Sequence, residues 1–321
     1  MNASLFLADL EAKPERLRAL ADAIEQAPPW GAVPSAPRRL VFLGMGSSRY
    51  AAAVCAARLR AAGVDAVAEH ASAERGWPGG PGTVAVGISA SGRTEETVAA
   101  LRRHREAGSA AIALTNDPHA AIGAAGSSVV DLLAGPESGG VACRTFQHTL
   151  ALLLALEARM NGADLSRVAA TVRAAADATE DLLTRRASWL PGAVDLLAST
   201  GQAFAIAPHE RLSSAEQGAL MLREGPRLSA DACETGDWLH VDVYLTKPLD
   251  YRAVLFAGSR FDPEVLGWAR ERGSSILTVG AELPDAKGSV RYRGEDDPDV
   301  ALLTEVLVPE LIAADVWRRQ G

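Results

Sequence analysis

Short apolar runs that stop abruptly at a turn, each followed by an amphipathic stretch of helical period, recur from residue 40 onward and leave this chain few folds to choose from. A run this short and this apolar reads as a strand buried on both faces. Strands joined through helices lie parallel, because each crossover returns the chain to the same end of the sheet. The runs at 40–43, 65–69, 84–89, 110–115 and 129–133 therefore predict a five-stranded, doubly wound parallel sheet flanked by helices, in the α/β class, with an amphipathic helical stretch over 5–27 before it. Residues 164–190 carry Ala, Leu and Arg without a strand signal and read as bridging helices. Beyond them the alternation resumes, with strand-like runs at 203–207, 253–257 and 275–279, a helix over 213–223 and an apolar helix over 299–319. The pattern predicts the same unit twice. Residues 1–163 would hold the N-terminal helix and the first copy, and residues 164–321 the bridging helices and the second.

Two of the turns carry chemistry. Gly44-Met45-Gly46-Ser47-Ser48 separates a buried run from an Ala-rich helical stretch, and Ser89-Ala90-Ser91-Gly92-Arg93-Thr94 separates the next such run from the helix starting at Glu95. Ser, Thr and Gly are ordinary turn and N-cap residues, and a strand-to-helix connection needs some of them. Hydroxyls and the unpaired amides of a helix's first turn also donate together to one phosphate, where the helix dipole favours negative charge. For either turn alone both readings stand. The recurrence favours the anion, since two such turns at the carboxyl ends of strands lie where open parallel sheets bind ligands.

Composition narrows the partners. With 48% hydrophobic and 22% charged residues, the 321-residue chain is globular and long enough for two domains. A net charge of -8 argues against nucleic acid, whose binding draws on clustered Lys and Arg. No apolar run reaches the length of a membrane span, and no basic segment precedes the apolar patch after Met1, so no membrane contact and a cytoplasmic location are expected. Cys55, Cys143 and Cys233 show no metal-ligand spacing. Buried free thiols are expected at 55 and 233, position 143 stays open beside a glycine-rich loop, and no metal or organic cofactor is expected. Lys13, Lys247 and Lys287 sit in no obviously buried catalytic context, which restricts Schiff-base chemistry. His70, after a strand, is placed to border a pocket, whereas His104 and His119 read as surface groups.

Taken in order, the turns at 44–48 and 89–94, Ala113-Leu114-Thr115-Asn116, and Glu137-Ser138-Gly139-Gly140-Val141-Ala142 resemble the motifs of the sugar isomerase (SIS) domain family. They are most similar to the isomerase halves of glutamine:fructose-6-phosphate amidotransferases. The likeness covers nearly the whole chain, from Glu11-Ala12-Lys13-Pro14 through the second copy. It implies tandem SIS domains with flavodoxin-like sheets and a phosphorylated sugar or amino sugar as ligand. By the same resemblance Ser48, Ser89, Ser91 and Thr94 hold the phosphate, and Ser47, Ala90, Val141 and Ala142 line the site. Ala90 and Arg93 stand where the family often has Gln and Glu, Arg93 bringing a cation to the turn. Cys143 stands where relatives place a small hydroxyl residue.

The segment Gln217-Gly218-Ala219-Leu220-Met221-Leu222-Arg223-Glu224, continuing to His240, resembles the family stretch with the catalytic carboxylate and histidine. On their own terms Glu224 is a carboxylate ending a helix before Gly225-Pro226, and His240 packs between Leu239 and Val241. The resemblance implies that Glu224 shuttles a proton between adjacent sugar carbons and that His240 moves protons on oxygen. His240-Val241-Asp242 replaces the usual His-Gly-Pro. The resemblance also implies a homodimer with its site at the subunit interface. Neither the glutaminase domain nor the tail lysine of the synthases is found in these residues. This points the expected chemistry to aldose-ketose enolisation with deamination, or to deglycation of a phosphorylated fructosamine. The alternative is a catalytically reduced phosphosugar-binding regulator, although no basic arm or helix-turn-helix precedes the domain.

Overall fold

The computed structural model describes residues 1–320. The helices are α1 (Ala3–Glu11), α2 (Lys13–Gln26), α3 (Gly46–Ala61), α4 (Glu95–Glu106), α5 (Ala121–Ala125), α6 (Arg144–Met160), α7 (Leu165–Thr184), α8 (Arg186–Leu197), α9 (Leu212–Glu224), α10 (Thr235–Trp238), α11 (Asp262–Glu271), α12 (Pro298–Thr304) and α13 (Leu307–Arg319). Two compact units result. One comprises Arg16–Pro136 and Arg144–Arg173; the other comprises Met1–Glu15, Glu137–Cys143 and the chain from Ala174 onward. Where the sequence suggests a single cut after residue 163, the N-terminal helix and the loop at 137–143 instead belong with the later residues.

The first unit is built on β1 (Arg39–Gly44), β2 (Ala66–His70), β3 (Thr83–Ile88), β4 (Ala110–Thr115) and β5 (Ser128–Asp131). All are parallel, in the order β2-β1-β3-β4-β5. Register follows the apolar runs: Val41 faces Ala85 and Leu43 faces Gly87 across the β1/β3 ladder. Alternate residues share a face. Val41, Leu43, Ala85 and Ala113 accordingly pack in one buried cluster with Val98 and Leu101 of α4 and Ile122 of α5. Each such buried Val or Leu contributes about 1.5–3 kcal/mol relative to an exposed one.

The second unit repeats the plan with β6 (Gln202–Ala207), β7 (Ser229–Glu234), β8 (Arg252–Phe256), β9 (Ser275–Val279) and β10 (Gly288–Val290). They too are parallel, ordered β7-β6-β8-β9-β10, so each strand has a counterpart at the same place in the first sheet. Its core joins Ile206, Leu255 and Ile276 to Trp238, Tyr251 and Val265. Trp238 Nε1 donates to Tyr251 Oη at 2.8 Å, so both aromatic polar tips are engaged inside.

Several details depart from the sequence expectations. β7 and β10 carry no apolar run: Ser229-Ala230-Asp231-Ala232-Cys233-Glu234 pairs only with β6 and is fully buried only at Ala230 and Cys233. The stretch over 5–27 is two helices meeting at Ala12, and the one over 299–319 breaks after Thr304. Lys13 is fully buried in an ion pair with Glu310, also fully buried, so one lysine does sit in the interior. His104 is buried rather than superficial, and burial lowers its pKa below the usual histidine value.

Candidate functional site

In the first unit the sheet order reverses at β1, with β2 on one side and β3 on the other, and at such a point ligands bind beyond the carboxyl ends of the strands. Both hydroxyl turns stand there, one leaving β1 and one leaving β3. In the turn after β3, the Gly92 amide donates to Ser89 O at 3.1 Å and closes the bend. Gly92 has φ +66, and a Cβ there would lie 2.5 Å from that of Ala120. Ser89 Oγ and Thr94 Oγ1 lie 3.0 Å apart and share a hydrogen bond. Thr94 is the N-cap of α4, yet its side chain makes no capping bond. Its hydroxyl thus joins that of Ser89 at the start of a long helix, where the amides of the first turn are open. Ser91 is exposed and accepts from the Arg93 amide at 3.3 Å. Ala90 is half-buried, its carbonyl taken by the Asn116 amide at 3.1 Å.

The turn after β1 has the same character. Gly46 opens α3, the N-cap Met45 supplies no side-chain bond, and Ser47 and Ser48 are half-buried in the first turn. Asn116, from the third motif, fastens the chain beyond β5: its Nδ2 donates to Gly135 O at 2.7 Å and its Oδ1 accepts from the Ala134 amide at 2.9 Å. Arg93 does not stand free as a cation for the anion. Its guanidinium pairs with Asp117 at 2.8 Å. His70 borders a cavity of about 360 Å³ that Glu69, Trp77, Arg103 and His104 also line.

The second unit holds the other residues. Val141 is buried and Ala142 half-buried in the loop at 137–143. Gln217 Nε2 of α9 donates to Ala142 O at 2.8 Å. Glu224 ends the same helix seven residues on, on the same side two turns later. It is half-buried, and burial raises its carboxyl above the ordinary value while Arg223 and Arg227 pull it down. A carboxyl raised above its ordinary value holds a proton more readily, which suits it to taking and returning one. His240 is exposed in the turn after α10, its amide donating to Asp237 O at 2.9 Å. It does not pack between its neighbours. Because β6 and β7 are parallel, α9 brings Glu224 back to the amino end of β7, whereas His240 lies past the carboxyl end. The strand β7 therefore lies between the two along one chain. Cys143 is fully buried, and the thiol is pushed up by that burial and by Glu137.

The counterpart of the 89–94 turn, after β8, is already filled. The Gly258 and Ser259 amides donate to Asp262 Oδ2 at 2.7 and 3.1 Å. The Asp262 carboxylate is buried and accepts both amides. Sequence reasoning missed this plug; the signal was an Asp where the first turn has hydroxyls.

Residues 35–159 match the SIS domain model. The chain is 30% identical over 254 residues to the isomerizing glutamine-fructose-6-phosphate aminotransferase of Aeropyrum pernix, covering 75% of this chain and 41% of that relative. It therefore spans less than half of that protein's length. The C-terminal domain of glucosamine-fructose-6-phosphate aminotransferase from Francisella tularensis shares the fold with a TM-score of 0.84 at 15% identity, covering 98% of this chain and 96% of the other. Glucosamine-6-phosphate deaminase of Thermotoga maritima does so with 0.76 at 14% identity, covering 99% and 95%. No helix among the described residues is long and apolar enough to cross a membrane.

Proposed function

The chain belongs to the SIS domain family, and from that premise we propose that it is an enzyme that binds a phosphorylated sugar and moves a proton between its first two carbons. The observation that carries the reading is the Ser89 and Thr94 hydroxyl pair at the head of α4, not engaged in capping, at the reversal point of the sheet. In this reading Ser48, Ser89, Ser91 and Thr94, with the open amides of α3 and α4, hold the phosphate, and Ser47, Ala90, Val141 and Ala142 line the remainder of the ligand.

Glu224 removes the proton from C2 of the open-chain aldose as the C1 carbonyl becomes an enol, then returns it to C1. When C2 bears an amine, that return leaves a C2 imine; water adds to it and ammonia departs, giving the ketose phosphate. His240 delivers and removes protons on oxygen during ring opening. The placement of Glu224 and His240 at opposite ends of β7 supports a reading in which a second copy of the chain donates the histidine and a homodimer is the working form.

A screen of thermal stabilisation by hexose phosphates, amino-sugar phosphates and phosphorylated fructosamines tests the reading, because selective binding raises the melting temperature by mass action. Stabilisation by one phosphorylated class, absent with the unphosphorylated sugar, is expected. Equal stabilisation by both, or by neither, overturns it. Binding with no turnover by the wild-type chain leaves the regulatory reading in its place.

A further inference from the structure

We infer that Gln217 and Asp9 are positioning residues that set the shape of the loop at 137–143, and through it the selectivity for the sugar. The inference rests on the reading of that loop as a ligand contact.

Gln217 is fully buried on α9, a position where an apolar side chain would pack with no polar group to satisfy. Its Nε2 reaches a loop 75 residues away, donating to Ala142 O at 2.8 Å, while its Oε1 has no partner among the described residues. A half-satisfied buried amide is a poor device for stability alone. What it does achieve is to fix Ala142 against the helix that ends in Glu224.

The other side of the loop is held by α1. Asp9, also buried, accepts the Gly139 amide on Oδ2 at 2.7 Å, and the Asn2 amide donates to Gly139 O at 3.1 Å. Both main-chain polar groups of Gly139 thus bond to the N-terminal segment. Only glycine permits this approach, since a Cβ at 139 would lie 2.5 Å from Phe6 Cα. Within the loop, the Cys143 amide donates to Glu137 Oε1 at 2.7 Å and draws the ends together. Val141 and Ala142 therefore sit between anchors on two helices, the arrangement that gives a site its precision.

The test uses the full chain and two ligands measured by calorimetry: inorganic phosphate, which reports on the hydroxyl turn in the other unit, and the best hexose phosphate from the screen. In Gln217→Met and in Asp9→Ala, affinity for the hexose phosphate is expected to fall at least about tenfold, and its preference over a C2 or C4 epimer to shrink at least about fivefold. Phosphate affinity should stay within about twofold of wild type. Asp9→Asn keeps an oxygen for the Gly139 amide and should restore both affinity and selectivity. Unchanged selectivity in folded Gln217→Met and Asp9→Ala overturns the inference, as does an equal loss for both ligands. If Gln217→Met fails to fold, the contrast between Asp9→Ala and Asp9→Asn decides alone. A wild-type chain that binds no phosphorylated sugar overturns the reading of the site, and this inference with it.

Discussion

Replacing Lys13 with methionine removes the cation from a pair whose two side chains are both fully buried. Burial already drives the Glu310 carboxyl up to about 7 from 4.5, with Lys13 as the group that holds it down and Glu137 pushing the same way as burial. A carboxyl raised in the folded state stabilises the fold below its unfolded value and loses that contribution as pH rises through the folded value. For Glu310 the shift from 4.5 to about 7 corresponds to about 3–4 kcal/mol, at about 1.4 kcal/mol per unit. Without Lys13 the carboxyl moves higher still, so the loss continues to higher pH. At about pH 8.5 breaking the pair should cost about 3–5 kcal/mol, and at about pH 5.5, where Glu310 is neutral, much less. At 2–4 °C per kcal/mol, the alkaline cost corresponds to roughly 6–20 °C in melting temperature. The double variant Lys13→Met/Glu310→Leu, which buries two apolar chains of similar size, should recover most of it. Melting wild type and both variants at each pH is the assay. A Lys13→Met penalty equal at both pH values, or a double variant as unstable as the single one, refutes the argument.

Ser89→Ala and Thr94→Val should each weaken binding of the phosphorylated sugar about 10- to 100-fold, the worth of a hydrogen bond to a charged group, and calorimetry showing no change would remove the turn from the site. Glu224→Gln should lower turnover at least about 100-fold while binding persists, and wild-type turnover would exclude it as the shuttle. If His240 acts across a two-fold dimer, Glu224→Gln and His240→Ala chains, each inactive, should regain about a quarter of wild-type activity when mixed and re-equilibrated, because half the dimers are mixed and each has one intact site. No recovery would place both residues in one chain's site. Asp262→Ala should lower the melting temperature by leaving two amides unpaired, and inorganic phosphate should restore the variant more than it raises wild type. Equal effects of phosphate on the two would mean that Asp262 does not stand in for an anion.

What the sequence made legible depended on locality. Strands β1, β3, β4, β8 and β9 announce themselves because, past Arg39 and Arg252 at the starts of β1 and β8, their positions are apolar or small and almost all are buried. β7 does not, because as an edge strand it is fully buried only at Ala230 and Cys233, and Asp231 and Glu234 break any apolar run. The break between α12 and α13 had a signal in Pro309, which suits the first turn of a new helix and not the interior of an old one. The hydroxyl turn could be found because its partners, Ser89 and Thr94, are five residues apart. The clamp on the loop at 137–143 could not, since its bonds span 130 and 75 residues and involve Asp9 and Gln217, which as letters are unremarkable helix residues.

Two sheets with one strand order end up with different turns, and the difference lies in which group meets the amides after the third strand of each. After β3 the side chains at hand are hydroxyls, which can donate to an anion and to one another, so Ser89 and Thr94 pair and leave the head of α4 able to accept a ligand. After β8 the side chain is Asp262, an acceptor that carries its own negative charge; the Gly258 and Ser259 amides bind it, and a second anion would meet both a filled position and like charge. Arg211, which pairs with the buried Glu305 at 3.4 Å and donates to Ala257 O, holds the adjoining chain in place around that plug. In the proposed reading a duplicated fold offers two places for a phosphate, and a single carboxylate reduces them to one. The property that distinguishes an open turn from a closed one is therefore the sign and donor capacity of one side chain at the head of the helix, a distinction that strand order and apolar periodicity do not carry.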